Sequence, residues 1–232
     1  MKKKYQHIFF DLDRTLWDLE KNSEQALLEL YHYYRLEEYG ITDFNDFIKN
    51  FNQINHSLWQ MYSLGKITKE ELRFQRFNKL LILYSIQHIA LAKSLGEAYT
   101  QHTPNKPHLF PFAKESLDYL YPKYALHIIT NGFKEVQHIK LRKSGIARYF
   151  QKIILSEIAG YNKPHTEIFR YAFKETNAIP ENSIMIGDDE EADIMGAKNA
   201  GIDQIYFNPS EKKINTEVTY QIRCLSEIKN LL

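Results

Sequence analysis

Ile8-Phe9-Phe10-Asp11-Leu12-Asp13-Arg14-Thr15-Leu16 is the stretch on which the reading of this chain turns. An apolar strand runs directly into two carboxylates at i and i+2, and a hydroxyl follows two residues later. Ionised groups at the end of a buried strand are costly to desolvate unless they are paired or hold a metal. Alternate residues of an extended chain point the same way, so Asp11 and Asp13 can converge on one point. That suits a nucleophile and a proton shuttle sharing a magnesium ion. The less favoured alternative is a strand meeting a solvated acidic turn, and the rest of the chain has to decide.

Three textures follow one another outward from this point. Residues 5 to 18 read as strand then loop. Residues 19 to 103 read as helix almost throughout, with no proline and only Gly40, Gly65 and Gly96. Apolar residues recur there at helical spacing, as in Ala26, Leu27, Leu30, Tyr31 and Tyr34, and again in Phe44, Phe47, Ile48 and Phe51. Asp43 and Thr68 stand where helix N-caps belong, and Glu71 completes a capping box with Thr68. Trp59, Tyr62, Phe74 and Phe77 read as helix-packing core. Thr103-Pro104-Asn105-Lys106-Pro107 cannot continue a helix.

Beyond it, helices and strands alternate. The pattern predicts helices at 111–120, 133–144, 165–176 and 191–200, and strands at 125–130, 152–155, 183–187 and 205–207. Such alternation implies right-handed crossovers and a parallel sheet covered on both faces. The expected fold is therefore α/β, a Rossmann-like parallel sheet with helices on both faces and an inserted α-helical domain. Its boundaries are 1–18 and 104–232 for the core and 19–103 for the insertion.

In an open parallel sheet, ligands bind beyond the carboxyl ends of the strands. Three further segments place polar groups there. Thr130-Asn131-Gly132 follows Ile128-Ile129 and can offer side-chain and backbone donors to a phosphate, although Asn-Gly alone is an ordinary turn. Lys163-Pro164 opens a helix, and a lone lysine there is by itself a surface residue. Ile184-Met185-Ile186-Gly187 then delivers five acids in six positions, Asp188 to Asp193. Acids at a helix start also favour the macrodipole. Asp188, however, stands directly at the strand end behind a glycine that permits close approach, and hard cations such as magnesium take oxygen ligands of this kind.

Composition removes other classes. The chain has 232 residues, 44% apolar and 14% aromatic, enough for a real core. Thirty basic residues against 29 acidic leave a net charge of +1, far from what a nucleic-acid polymer binder needs. The Lys2-Lys3-Lys4 start reads as a short solvated run. Cys224 is the only cysteine, so neither an intrachain disulfide nor a cysteine-rich zinc site is possible. No leader pattern opens the chain and no run of 18 apolar residues occurs. We therefore expect a cytoplasmic protein with neither a nucleic-acid polymer nor a membrane as partner.

Strand-Asp-x-Asp-x-Thr, strand-Thr-Asn-Gly, Lys-Pro at a helix start and strand-Gly-Asp-x4-Asp occur here in that order. Together they resemble the haloacid dehalogenase-like (HAD) hydrolase superfamily, over residues 6 to 16 and about 107 to 210. Gly196-Ala197-Lys198-Asn199-Ala200-Gly201 is similar to the small-residue helix after the fourth motif, and the helical insertion occupies the place of the cap. The resemblance implies Asp11 as nucleophile, forming an aspartyl-phosphate, and Asp13 as acid and then base. It implies Thr130 and Lys163 on the phosphoryl oxygens, with Asn131 in support. It also implies Mg2+ held by Asp11, the backbone carbonyl of Asp13 and Asp188, with Asp193 orienting metal-bound water or Lys163. Arg14 and Asp189 depart from the usual pattern without removing a catalytic group; Arg14 faces either solvent or substrate.

Asp13 separates phosphoryl chemistry from the dehalogenases, which lack that second acid. Ile128 to Phe133, Leu155-Ser156-Glu157-Ile158-Ala159-Gly160 and Lys163-Pro164 further resemble the bacterial noncanonical pyrimidine nucleotidases, 5'-nucleotidases acting on monophosphates such as UMP, dUMP and dTMP. The expected substrate is thus a small phosphomonoester, a pyrimidine nucleoside monophosphate. The alternatives are a sugar-phosphate or small organophosphate phosphatase, a phosphomutase, and a nucleotide-binding protein without turnover. Trp17 and Trp59 can be core residues or a stacking slot for a base.

Overall fold

The computed structural model describes residues 5–232, and the Lys2-Lys3-Lys4 run lies outside them. The chain divides into two compact units, residues 1–19 with 107–232 and residues 20–106. In chain order the elements begin with β1 (His7–Phe10), and then come four helices: α1 (Leu19–Tyr33), α2 (Phe44–Ser63), α3 (Lys69–Leu83) and α4 (Ile89–His102). After these follow α5 (Ala113–Leu120), β2 (Ala125–Thr130), α6 (Lys134–Lys143), β3 (Phe150–Leu155), α7 (Ser156–Ala159) and α8 (Thr166–Thr176). The chain closes with β4 (Ser183–Gly187), α9 (Gly196–Asn199), β5 (Asp203–Phe207), β6 (Tyr220–Ile222) and α10 (Ile228–Leu231).

In the helical unit the polar punctuation sits at helix starts. Asp43 caps α2 by accepting from the Asn45 and Asp46 amides. Thr68 and Glu71 exchange the two bonds of a capping box at the start of α3, at 3.1 and 2.7 Å. Leu27, Leu30, Tyr31, Phe47, Phe51, Phe77, Leu80, Leu95 and Tyr99 form one buried cluster. Gly96 lets α4 approach α3 closely, since a Cβ there would stand 2.6 Å from the Arg73 carbonyl oxygen.

The other unit is built on a six-stranded sheet in the order β3-β2-β1-β4-β5-β6, with every pair parallel. Phe10 pairs with Ile128 on one side and Ile186 on the other. Strand residues alternate between two clusters, as a period of two requires. Ile8, Phe10, Leu126, Ile128, Ile184 and Ile186 pack with Leu117, Leu120, Leu141 and Ile228 on one face. Phe9, Ile129, Ile154 and Met185 pack with Ile168, Phe169, Ala172 and Ala197 on the other. Both faces are therefore covered by helices, which is why these strands read as continuous apolar runs. From β1 the connections run toward β2 and β3 on one side, and from β4 toward β5 and β6 on the other. The switch point, where open α/β sheets bind ligands, lies between β1 and β4.

Besides shifts of two residues at the starts of α5 and β5, three local features differ from the sequence reading. β3 begins two residues earlier than its apolar pattern, because it is the edge strand and Gln151 and Lys152 are exposed. β6 is only three residues long and sits in a polar stretch, too short to show alternation. The helix read over 191–200 opens instead with a π-type turn at Glu190–Met195, where both the Asp193 and Ile194 amides bond to the Asp189 carbonyl. Among the described residues, no helix is long and apolar enough to cross a membrane.

Candidate active site

Asp11, Thr130 and Asp188 stand at the carboxyl ends of the adjacent strands β1, β2 and β4. The Asp11 amide still donates to the Ile186 carbonyl at 2.9 Å, so its backbone is held by the sheet. Its carboxylate turns to Lys163, whose Nζ lies 2.6 Å from Asp11 Oδ1. The same ammonium lies 2.6 Å from Asp193 Oδ1. All three side chains are almost wholly buried.

Each partner is held in turn. Lys163 is aligned by Asn131, which accepts from the Lys163 amide at 2.8 Å and donates to the Lys163 carbonyl at 2.9 Å. The other oxygen of Asp193 accepts from the Asp189 amide at 3.1 Å. The π-type turn carries Asp193 back over the strand end, and a Cβ on Gly187 would lie 2.2 Å from Asp193 Oδ2. That glycine is needed for space. Thr130 is buried, and its Oγ1 accepts from the Gly132 amide at 3.0 Å, leaving the hydroxyl proton to donate elsewhere. Thr15 donates to Asp188 Oδ1 at 3.1 Å.

Asp13 takes different partners from Asp11. The chain winds into a tight loop after Leu12, with the Leu16 and Trp17 amides both bonding back to the Leu12 carbonyl. Arg14 in this loop has φ of 68° and is exposed, while Trp17 is fully buried in the core. Asp13 Oδ1 lies 2.6 Å from Lys140 Nζ, and its Oδ2 accepts from Gln137 Nε2 at 3.2 Å. Neither of these α6 residues was singled out from the sequence. Their only advance signal is an i, i+3 spacing on the helix that follows Thr130-Asn131-Gly132. Asp189, an exception to the usual pattern, caps the turn by accepting from the Glu191 and Ala192 amides.

Carboxylate oxygens of Asp11, Asp188 and Asp193 all lie within 4.8 Å of one another. Three carboxylates, with Lys163 bonded to two of them and Arg14 acting on Asp188, leave an excess of negative charge in a largely buried place. The consequence is visible in proton affinity. Burial first, and then Asp193 and Asp13, push Asp11 up to about 7 against the pull of Lys163. Burial, Asp11 and Asp193 push Asp188 up to about 8, opposed by Arg14 and Thr15. Asp193 is likewise raised by burial, although Lys163 opposes it. Burial works against the Lys163 charge, but Asp11 and Asp193 overcome it and hold the ammonium protonated. An all-oxygen donor set with surplus negative charge fits a hard divalent cation.

A family model described as haloacid dehalogenase-like hydrolase matches residues 8–207. YfnB of Bacillus subtilis is 33% identical over 99% of this chain and 96% of its own length. Two relatives named as pyrimidine 5'-nucleotidases also match from end to end. PynA of Streptococcus pneumoniae is 30% identical over 98% of this chain and 95% of its own. YjjG of Escherichia coli is 28% identical over 99% and 98%. The crystal structure of YfnB, bound to magnesium, superposes with a TM-score of 0.87 over 99% of each chain.

Proposed function

The chain belongs to the haloacid dehalogenase-like hydrolases and is a phosphatase of that family, and we propose that within it the protein is a magnesium-dependent 5'-nucleotidase for pyrimidine nucleoside monophosphates. The observation that carries the catalytic part is the cluster of Asp11, Asp188 and Asp193, two of them buried and bonded to Lys163. The substrate part rests on PynA and YjjG, both similar to this chain over nearly its whole length.

In this reading Asp11 attacks phosphorus, its new O–P bond forming as the ester P–O bond breaks. Asp13 gives its proton to the departing oxygen and then takes one from the water that attacks the aspartyl-phosphate. The Asp11–phosphorus bond breaks, inorganic phosphate leaves, and Asp13 is again protonated. Lys163 and the Thr130 hydroxyl hold the phosphoryl oxygens, while Asn131 keeps Lys163 in line. Asp193 positions Lys163 through its Oδ1. Asp11, the Asp13 carbonyl and Asp188 would hold Mg2+, which supplies charge compensation at the transferring phosphoryl group. The helical stretch 19–103 is read as the cap that selects the leaving group. A cytoplasmic location completes the reading.

A second reading keeps the chemistry and changes the substrate. A ribulose-1,5-bisphosphate 5-phosphatase of Halopiger xanaduensis is 29% identical over 90% of this chain and 87% of its own. Phosphate release from a panel of nucleoside monophosphates and sugar phosphates, with magnesium, separates the two. Preference for UMP, dUMP or dTMP supports the nucleotidase, whereas preference for a sugar phosphate or a flat profile discards it.

A further inference from the structure

We propose that Gln137 and Lys140 are positioning residues for Asp13, forming a buried two-point clamp that sets which oxygen of this carboxylate exchanges the proton. The inference rests on the acid–base reading of Asp13 given above.

The two residues lie one turn apart on α6 and so share a face of the helix. Lys140 Nζ bonds Asp13 Oδ1 at 2.6 Å, and Gln137 Nε2 bonds Oδ2 at 3.2 Å. Both are buried, Gln137 completely. The lysine side chain is 8% exposed while that of Asp13 keeps 21%, so the acid alone in this group has an open side. The ammonium also lies 4.5 Å from the centre of the Trp17 ring, boxed between an aromatic face and the carboxylate. Burying lysine in this way is costly unless the partner geometry is good. A solvent-facing helix would not need it.

Gly132 shows that the clamp is built into the backbone. A Cβ there would fall 1.5 Å from Gln137 Nε2 and 3.1 Å from Asp13 Oδ2. The glycine has no positive φ to explain it. It is small because the Gln137 amide crosses over it to reach Asp13. Gln137 gives that amide N–H to Asp13 even though its own Oε1 stays buried without a partner. The loop that offers Thr130 and Asn131 therefore also launches the helix that orients the acid. Oδ1 is held by the short, charged bond and Oδ2 by the longer neutral one. Oδ2 is thus the oxygen free to give its proton to the leaving group and to take one from water. Fixing a catalytic carboxylate through buried neighbours is what tight positioning requires.

The test is a double-mutant cycle on UMP, or on the best monophosphate of the panel, with magnesium present. Lys140→Met and Gln137→Ala are each expected to lower kcat by roughly tenfold to a hundredfold, a fraction of what an acid–base group supplies, with KM changed less than about threefold. Lys140→Arg should recover part of the rate. Gly132→Ala should reproduce the Gln137 defect without touching Lys140, which keeps the question open if one variant fails to fold. In an Asp13→Asn background, Lys140→Met should lower kcat by less than about twofold, because its partner is already gone. Single-turnover phosphorylation by p-nitrophenyl phosphate, whose leaving group needs little protonation, should be impaired less than phosphorylation by the nucleotide. Full-rate Lys140 and Gln137 variants, or a Lys140 loss undiminished in the Asp13→Asn background, would overturn the clamp. Full activity of Asp13→Asn itself would instead overturn the acid–base reading on which the clamp depends.

Discussion

The Lys163 ammonium stands 2.6 Å from the Asp11 carboxylate although 152 residues separate them in sequence. Among the described residues it is the one cation bonded to both Asp11 and Asp193, and all three groups are almost wholly buried. Removing one partner from such a set leaves uncompensated buried charge, at a cost of about 3–5 kcal/mol. Lys163→Met is therefore expected to lose turnover and to shift the urea midpoint downward strongly. Asp193→Asn, added to it, should restore part of the stability but none of the activity. A Lys163→Met protein as stable as the parent would mean that Asp11 and Asp193 are already protonated in the native state.

Proton and metal should compete for the same oxygens. Asp11 at about 7 and Asp188 at about 8 lie above the ordinary carboxylate value of 3.8. The metal-free native state thus holds protons that the unfolded chain has released, and these groups make it less stable as pH rises from about 4 to 8. A cation relieves the repulsion and is opposed by protons. Magnesium should accordingly raise the thermal midpoint more at pH 8.5 than at pH 6, and EDTA should abolish turnover until magnesium is returned. Magnesium shifts that are equal at both pH values would remove Asp11 and Asp188 as its ligands.

Gly187 connects the reading of the sequence to the site. Its place before Asp188 suggests close approach, and the approaching group proves to be Asp193, which a Cβ would meet at 2.2 Å. Gly187→Ala should push Asp193 off Lys163, destabilising the protein by about 1–3 kcal/mol, as overpacking does. Activity should fall much further than stability, read by comparing kcat with the urea midpoint. A normal kcat in a folded Gly187→Ala protein would count against Asp193 as the residue that positions Lys163.

Asp11, Thr130 and Asp188 were legible because each ends a buried strand, and a polar group in that position stands out against the apolar run before it. Lys163 and Asn131 became legible only as members of an ordered set. Lys140 and Gln137 were not, because Lys134 to Lys143 carries the polar pattern of an ordinary solvated helix. Only the tertiary fold turns that pair toward Asp13. The π-type turn was hidden because Glu190 to Met195 is dominated by acids and offers too few apolar residues for a period to be read. The helix caps Asp43 and Thr68, which act over three residues, could be read directly.

The helical unit contains a charge without a counter-charge. Arg76 is 4% exposed, its Nε has no partner, and its one hydrogen bond is to Asn55 at 3.4 Å. Among the described residues no carboxylate pairs with it; it lies over the Tyr99 ring at 4.7 Å. Burial pushes the guanidinium down to about 10. Replacing a poorly compensated buried ion by an apolar group of similar length removes desolvation without losing an ion pair. Arg76→Met is expected to stabilise the protein by roughly 1 kcal/mol, seen as a higher urea midpoint. A lower midpoint would show that stacking on Tyr99 outweighs the desolvation.

His127 gives the sheet its own sensitivity to acid. It is buried between His7, whose Nδ1 lies 3.1 Å from its Nε2, and the Phe9 ring at 5.0 Å, and it is paired in register with Lys152 on β3. Burial first, then the charges of His7 and Lys152, push it down to about 4. The unfolded chain takes up a proton near the ordinary value of 6.5, while the native state resists until about 4. Between those values the unfolded state holds more protons, so stability rises with pH and is lost as pH falls through this window. The full loss is on the order of 3 kcal/mol. His127→Leu should remove this part of the acid sensitivity. The stability difference between pH 7.5 and pH 4.5, measured by urea unfolding, should therefore be smaller in the variant than in the parent. Equal differences in the two proteins would mean that His127 does not resist protonation in the folded state.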